Sequence, residues 1–174
     1  MKQVLLALAV LLFTMALYYW AGNRLVPKNG GVLLSEGKEI SAEIPENIQV
    51  QMENEIKLKA KHEKGKIVGF LLNLSFDPKK VQILSVEANK EIFNYGVESK
   101  IDQEKGKIMV KGRYEGEKEV SVNEEINLTT IKIKGLEKGE TIISAENTPI
   151  VEVWDGEKIT EESFKLSDFK LKFL

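Results

Sequence analysis

The chain has 174 residues, a formal net charge of −2 from 25 Lys and Arg against 27 Asp and Glu, and no cysteine. That length holds one well-buried domain plus a short tail or anchor and is too short for two ordinary domains. The balanced charge leaves no basic field for nucleic acid, and the missing cysteines exclude disulfides, thiolate metal sites and a lipidated cysteine.

The first element is apolar. Val4–Trp20, VLLALAVLLFTMALYYW, contains no charge, Gly or Pro. A helix rising about 1.5 Å per residue here, with its flanks, crosses most of a hydrocarbon core of roughly 30 Å. Tyr18, Tyr19 and Trp20 stand at its far end, where aromatic side chains favour the membrane interface. Residues 1–22 are therefore expected to be an export signal retained as a transmembrane anchor, with membrane contact through residues 4–21. The domain that follows is expected outside the cytoplasm, at the cell surface or in a periplasm. Cleavage behind the small residues Thr14 and Ala16 would instead secrete it, but with the unusually apolar start LYYWAGNRL. Residues 23–30, rich in Gly, Asn and Pro, form a spacer, and residues 31–174 form the domain.

From there the text is uniform. Short runs of Val, Ile, Leu, Phe and Thr alternate with Lys or Glu and are separated by Gly, Asn or Asp turns at the roughly 8 to 12 residue spacing of all-β domains. Strands are predicted at Val32–Leu34, Glu39–Glu43, Glu55–Lys61, Lys66–Phe76, Val81–Ala88, Ile92–Ser99, Lys107–Arg113, Ile126–Ile133, Thr141–Glu146, Ile150–Trp154 and Ser167–Phe173. Alternation of apolar and polar faces fits two antiparallel sheets packed face to face, a β-sandwich. EKGK at Glu63–Lys66 and Glu104–Lys107 predicts two hairpin turns in which Gly supplies a positive φ, and WDGEK at Trp154–Lys158 a third turn.

Chemistry is hard to find. The single histidine, His62, falls beside a turn and is expected in solvent, not in a Ser-His-Asp triad. With one His and no Cys a zinc site is excluded, and the acids are scattered on turns and alternate strand positions as on a solvated face. No enzyme activity, metal or cofactor is expected. Tyr95, Tyr114 and Trp154 are the candidate exposed rings for stacking on a glycan.

The most specific stretch is VGFLLNLSFDPKKVQILSV, Val68–Val86, in which an alternating strand ends in Phe-Asp-Pro and a second apolar strand follows at once. It resembles the signature of cohesin domains. KGKIMVKG at Lys105–Gly112, INLTTIKIKG at Ile126–Gly135, GETIISAEN at Gly139–Asn147 and IVEVWDGEKI at Ile150–Ile159 resemble, in order, the later strands of that family. The resemblance covers residues 31–174. It implies a nine-stranded jelly-roll, immunoglobulin-like sandwich, related in fold to cellulose-binding modules. It also implies a non-catalytic module that holds dockerin-bearing, polysaccharide-degrading enzymes on scaffolds or cell surfaces.

On that pattern Val68, Phe70, Leu72, Leu74 and Phe76 point inward. Gly69, Leu71, Asn73 and Ser75 lie on the outer face that cohesins use for dockerin. Gly69 and Leu71 stand where better-known cohesins carry a polar pair, often Asn and Asp. The expected function is thus a cohesin-like module anchoring a protein partner at the cell surface; the alternative is a carbohydrate-binding module that binds polysaccharide directly.

Overall fold

The computed structural model describes residues 38–115 and 124–174. The expected anchor (1–22), spacer (23–30) and first strand (Val32–Leu34) lie outside the described residues. Twelve strands are described: β1 (Glu39–Glu43), β2 (Glu53–Lys61), β3 (Lys66–Ser75), β4 (Val81–Ala88), β5 (Tyr95–Asp102), β6 (Lys107–Arg113), β7 (Glu125–Gly135), β8 (Gly139–Ala145), β9 (Ile150–Trp154), β10 (Ile159–Ser163), β11 (Lys165–Leu166) and β12 (Phe169–Phe173).

The strands form the expected sandwich of two sheets. One has the order β11-β1-β2-β7-β4; the other runs β10-β9-β3-β6-β5, with β8 on the far half of β3 and β12 on β8. Pairing between these strands is antiparallel except for β1 with β11. The inner faces interdigitate. Ile56, Leu58, Leu128, Ile131 and Ile133 of the first sheet and Leu72, Leu74, Ile108, Val110 and Val151 of the second are essentially closed to solvent. Full burial of each such side chain contributes about 1.5–3 kcal/mol relative to exposure. Phe70 meets Phe93 edge to face, ring centroids 4.7 Å apart, as the ring quadrupoles favour.

The Asp77-Pro78 turn explains why β3 stops. Asp77 Oδ1 accepts the Lys79 N–H at 2.9 Å, and the Asp77 carbonyl accepts the N–H groups of Lys80 and Val81 at 3.1 and 3.0 Å. Proline sits where no N–H is required, so the chain reverses into β4 without leaving a donor unpaired. Phe76 closes the core behind it and donates its N–H to the Gly106 carbonyl at 2.8 Å.

Several expectations are corrected. Val68 does not point inward: the register of β3 against β9 slips between Ile67 and Gly69, so Ile67 is buried and Val68 is half-exposed. An added residue in one strand of a pair displaces one side chain from the alternation. The two EKGK turns are not equivalent. Gly106 has φ of +65°, as expected, but Gly65 has no positive φ; it is glycine because a Cβ there would collide with the Val153 side chain. The sandwich is cut into twelve described strands, not nine, partly because the tail folds into β10 and β11. The strand expected at Ile92–Ser99 begins three residues later, at Tyr95, because Asn89 holds a turn first. Its carbonyl accepts the N–H groups of Ile92 and Phe93, and its side-chain oxygen accepts that of Glu91.

Candidate protein-interaction face

Directly opposed residues of antiparallel strands share a face, so the register assembles the outer surface of the β10-β9-β3-β6-β5 sheet row by row. One row reads Glu161, Glu152, Gly69, Arg113, Tyr95; the next reads Ser163, Ile150, Leu71, Lys111, Glu98. Asn73, Met109 and Lys100 follow, then Ser144, Ser75, Lys107 and Asp102. All four sequence-predicted face residues, Gly69, Leu71, Asn73 and Ser75, therefore lie on one outward line along β3.

Gly69 is covered, not bare. Arg113 from β6 and Glu152 from β9 form an ion pair across it, with Arg113 Nε donating to Glu152 Oε1 at 2.9 Å and a second guanidinium nitrogen on the same oxygen. A Cβ on Gly69 would run into the Glu152 carboxylate. That carboxylate raises the pKa of the Arg113 guanidinium, with smaller contributions from Glu161 and Tyr95. The polar groups over Gly69 thus come from the flanking strands.

Below this row lies an apolar strip of Leu71, Ile150 and Met109. Ile150 is 37% exposed, and Leu71 and Met109 are half-buried. Charges border the strip. Glu98 takes Lys100 at 2.6 Å and Lys111 at 2.7 Å, and these two ammonium groups pull its pKa down to about 2, Lys100 most strongly. Farther along, Lys107 pairs with Glu146 at 2.8 Å, which raises the lysine pKa. Asn73 Nδ2 donates to Asn147 Oδ1 at 3.3 Å, and the Ser75 and Ser144 hydroxyls meet at 2.9 Å. A groove of about 320 Å³ runs between Leu71, Ile150, Tyr95 and the Arg113–Glu152 pair. An apolar centre inside a polar rim is the anatomy of protein interfaces.

The candidate stacking rings do not form one row. Tyr95 is 57% exposed, whereas Tyr114 and Trp154 are half-buried. Tyr95 and Tyr114 line a hollow of about 430 Å³ with Val68 and Ile159, and Trp154 is not part of its lining. His62, expected in solvent, is instead largely covered. Its Nε2 lies 3.0 Å from Glu162 Oε2, which also takes Lys38 at 2.8 Å, and its Nδ1 accepts the Lys64 N–H. The ring is an anchor between distant segments. Among the described residues no group of three or more His, Asp or Glu could hold a metal ion, and no helix is long and apolar enough to cross a membrane.

Arg113, Glu152, Ile150, Met109 and Glu161 escaped sequence reasoning. The alternation of β6 and β9 marks the first four as outward, but only the strand order brings them beside β3, and Glu161 joins them through β10 pairing with β9.

The cohesin domain family model matches residues 46–165. The chain belongs to the cohesin domain family. Solved cohesins share its fold at low identity. The cohesin module of a family 33 glycoside hydrolase from Clostridium perfringens has a TM-score of 0.62 at 12% identity, covering 78% of this chain and 96% of that one. The seventh type I cohesin of ScaB from Pseudobacteroides cellulosolvens has a TM-score of 0.64 at 14% identity, covering 78% and 92%. The sixth cohesin of Acetivibrio cellulolyticus scaffoldin B, solved in complex with a Cel5 dockerin variant, has a TM-score of 0.62 at 15% identity, covering 79% and 99%. Comparison with curated proteins gave no match.

Proposed function

We propose that this cohesin is a non-catalytic module that binds a protein partner on the outer face of the β10-β9-β3-β6-β5 sheet, the partner being a dockerin-bearing, polysaccharide-degrading enzyme. The observation that carries the reading is the apolar strip of Leu71, Ile150 and Met109 framed by fixed ion pairs, on the face where family resemblance puts dockerin recognition. Solved relatives in complex with dockerins support the class of partner. The apolar run at Val4–Trp20 supports an anchor that holds the module outside the cytoplasm, at a cell surface or in a periplasm.

Because Gly69 and Leu71 replace a polar pair, the partner is read by an apolar centre with hydrogen bonds from the rim, not by polar groups on β3 itself. Dockerins are, on the same resemblance, small calcium-loaded helical modules, so capture from an extract of the source organism, with and without calcium chelation, tests this. Dockerin-bearing enzymes that elute on chelation support it. Binding to polysaccharide with no protein recovered would favour the glycan reading through Tyr95, Tyr114 or Trp154.

A further inference from the structure

β5 is an edge strand. It pairs with β6 on one side, and among the described residues no strand pairs with the other. Such an edge presents unpaired N–H and C=O groups that can template another strand. The neighbouring edge, β4, is shielded: the Gln103 side chain accepts the Ile83 N–H at 3.0 Å and donates to the Val81 carbonyl at 2.8 Å, as a paired backbone would. Among the described residues no comparable cap covers Val97–Ile101.

That segment, Val-Glu-Ser-Lys-Ile, is complementary to itself. Set antiparallel about Ser99, it brings Val97 opposite Ile101 of a second copy and Glu98 opposite Lys100, each twice. Residues opposed in this way must share a face, so the register can slide only in steps that keep side chains on their own side. The next registers on either side put Glu98 against Glu98 or Lys100 against Lys100. Of these three registers, the Ser99-centred one alone joins opposite charges and apolar pairs together. Val97 and Ile101 are 39% and 38% exposed; Ile101 opposes the buried Ile108, so it is an inner-face side chain that the sandwich leaves uncovered, and Val97 alternates with it and Ser99 beside the register shift between Tyr95 and Glu98.

We propose that the free edge of β5 is a self-association site, at which a second copy adds β5 to β5 about a two-fold axis at Ser99. This is an isologous contact, closed by its own symmetry. It continues the outer row of Glu98 and Lys100 into the partner, so two outer faces become one surface. It does not depend on what those faces bind.

The chain has no cysteine of its own, which makes cross-linking a clean test. Opposed Cα atoms in an antiparallel pair lie about 4.5–5.5 Å apart, within the roughly 4.4–6.8 Å that a disulfide spans. Full-length Ser99→Cys in detergent, mildly oxidised, is expected to become mainly covalent dimer on a non-reducing gel. Lys170→Cys, on β12 and likewise exposed, is expected to remain monomer. Val97→Cys and Ile101→Cys should cross-link only when mixed, which reads the register without altering Ser99. Adding Lys100→Glu to Ser99→Cys should cut dimer about tenfold, and Glu98→Lys on top should restore it. The proposal is overturned if Ser99→Cys dimerises no more than Lys170→Cys, if Val97→Cys alone links as well as the mixture, or if the charge reversals change nothing.

Discussion

Arg113 and Glu152 stand on the strands either side of β3 and close their ion pair over the backbone of Gly69, in the space that a side chain at that position would need. The charge over this point of β3 therefore comes from β6 and β9. Gly69→Asp would set a second carboxylate against Glu152 and force the pair apart. Partner affinity is expected to fall at least about tenfold, as when a rim or core charge pair is broken at an interface. The thermal midpoint should move by only a few degrees, because an ion pair at the protein surface contributes little to stability. Calorimetric binding and thermal unfolding of the same variant check both halves.

The core prediction is independent of function. Leu72 lies at the middle of β3 with no exposed surface, so Leu72→Ala loses its transfer free energy and leaves a cavity. A loss of about 2–5 kcal/mol is expected in urea unfolding.

Two glycines with similar φ separate strain from collision. Gly96 has φ of +57° with open space where a Cβ would go, whereas at Gly106, φ +65°, a Cβ would strike the Phe76 carbonyl. Gly96→Ala should cost about 1 kcal/mol of conformational strain. Gly106→Ala should cost clearly more, since the turn that holds Phe76 must shift; equal losses in denaturant titrations would contradict this account.

Glu98 makes stability depend on acid. Its folded pKa, about 2, lies below the ordinary carboxylate value because Lys100 and Lys111 favour the charged form. A depressed folded pKa means that the stabilisation is fully present above the unfolded value, near 4.5, and is lost as pH falls toward about 2. The gap in melting temperature between the wild type and Glu98→Gln is expected to be constant near pH 7 and to shrink from about pH 5 to pH 2. It should also narrow with added salt, since the group is exposed.

Much of the fold was legible because local signals agreed with one another. The bounds of β1, β4, β6 and β9 follow from alternation closed by turn residues, and Phe76-Asp77-Pro78 carries both the end of β3 and the family resemblance. What was not legible depends on partners far along the chain. Nothing in ITEES distinguishes β10 from loop until β9 lies beside it, and the slip that turns Val68 outward exists only against β9. His62 looks solvated until Glu162 meets it from 100 residues away. The interaction face divides in the same way. Its β3 line can be read from alternation alone, but the apolar neighbour Ile150 and the Arg113–Glu152 cover come from strand order.

The most direct measurement is calcium-dependent binding of a captured dockerin-bearing partner to Ile150→Asp, alongside Glu87→Lys. Ile150 lies on the proposed face; Glu87 is exposed on the outward face of the other sheet. Placing a charge in the centre of an interface should weaken binding at least about 30-fold, the scale of a hot-spot loss of about 2 kcal/mol. Glu87→Lys should bind as the wild type does. Full binding by a folded Ile150→Asp, or loss in Glu87→Lys instead, would contradict the assignment of the partner to this face.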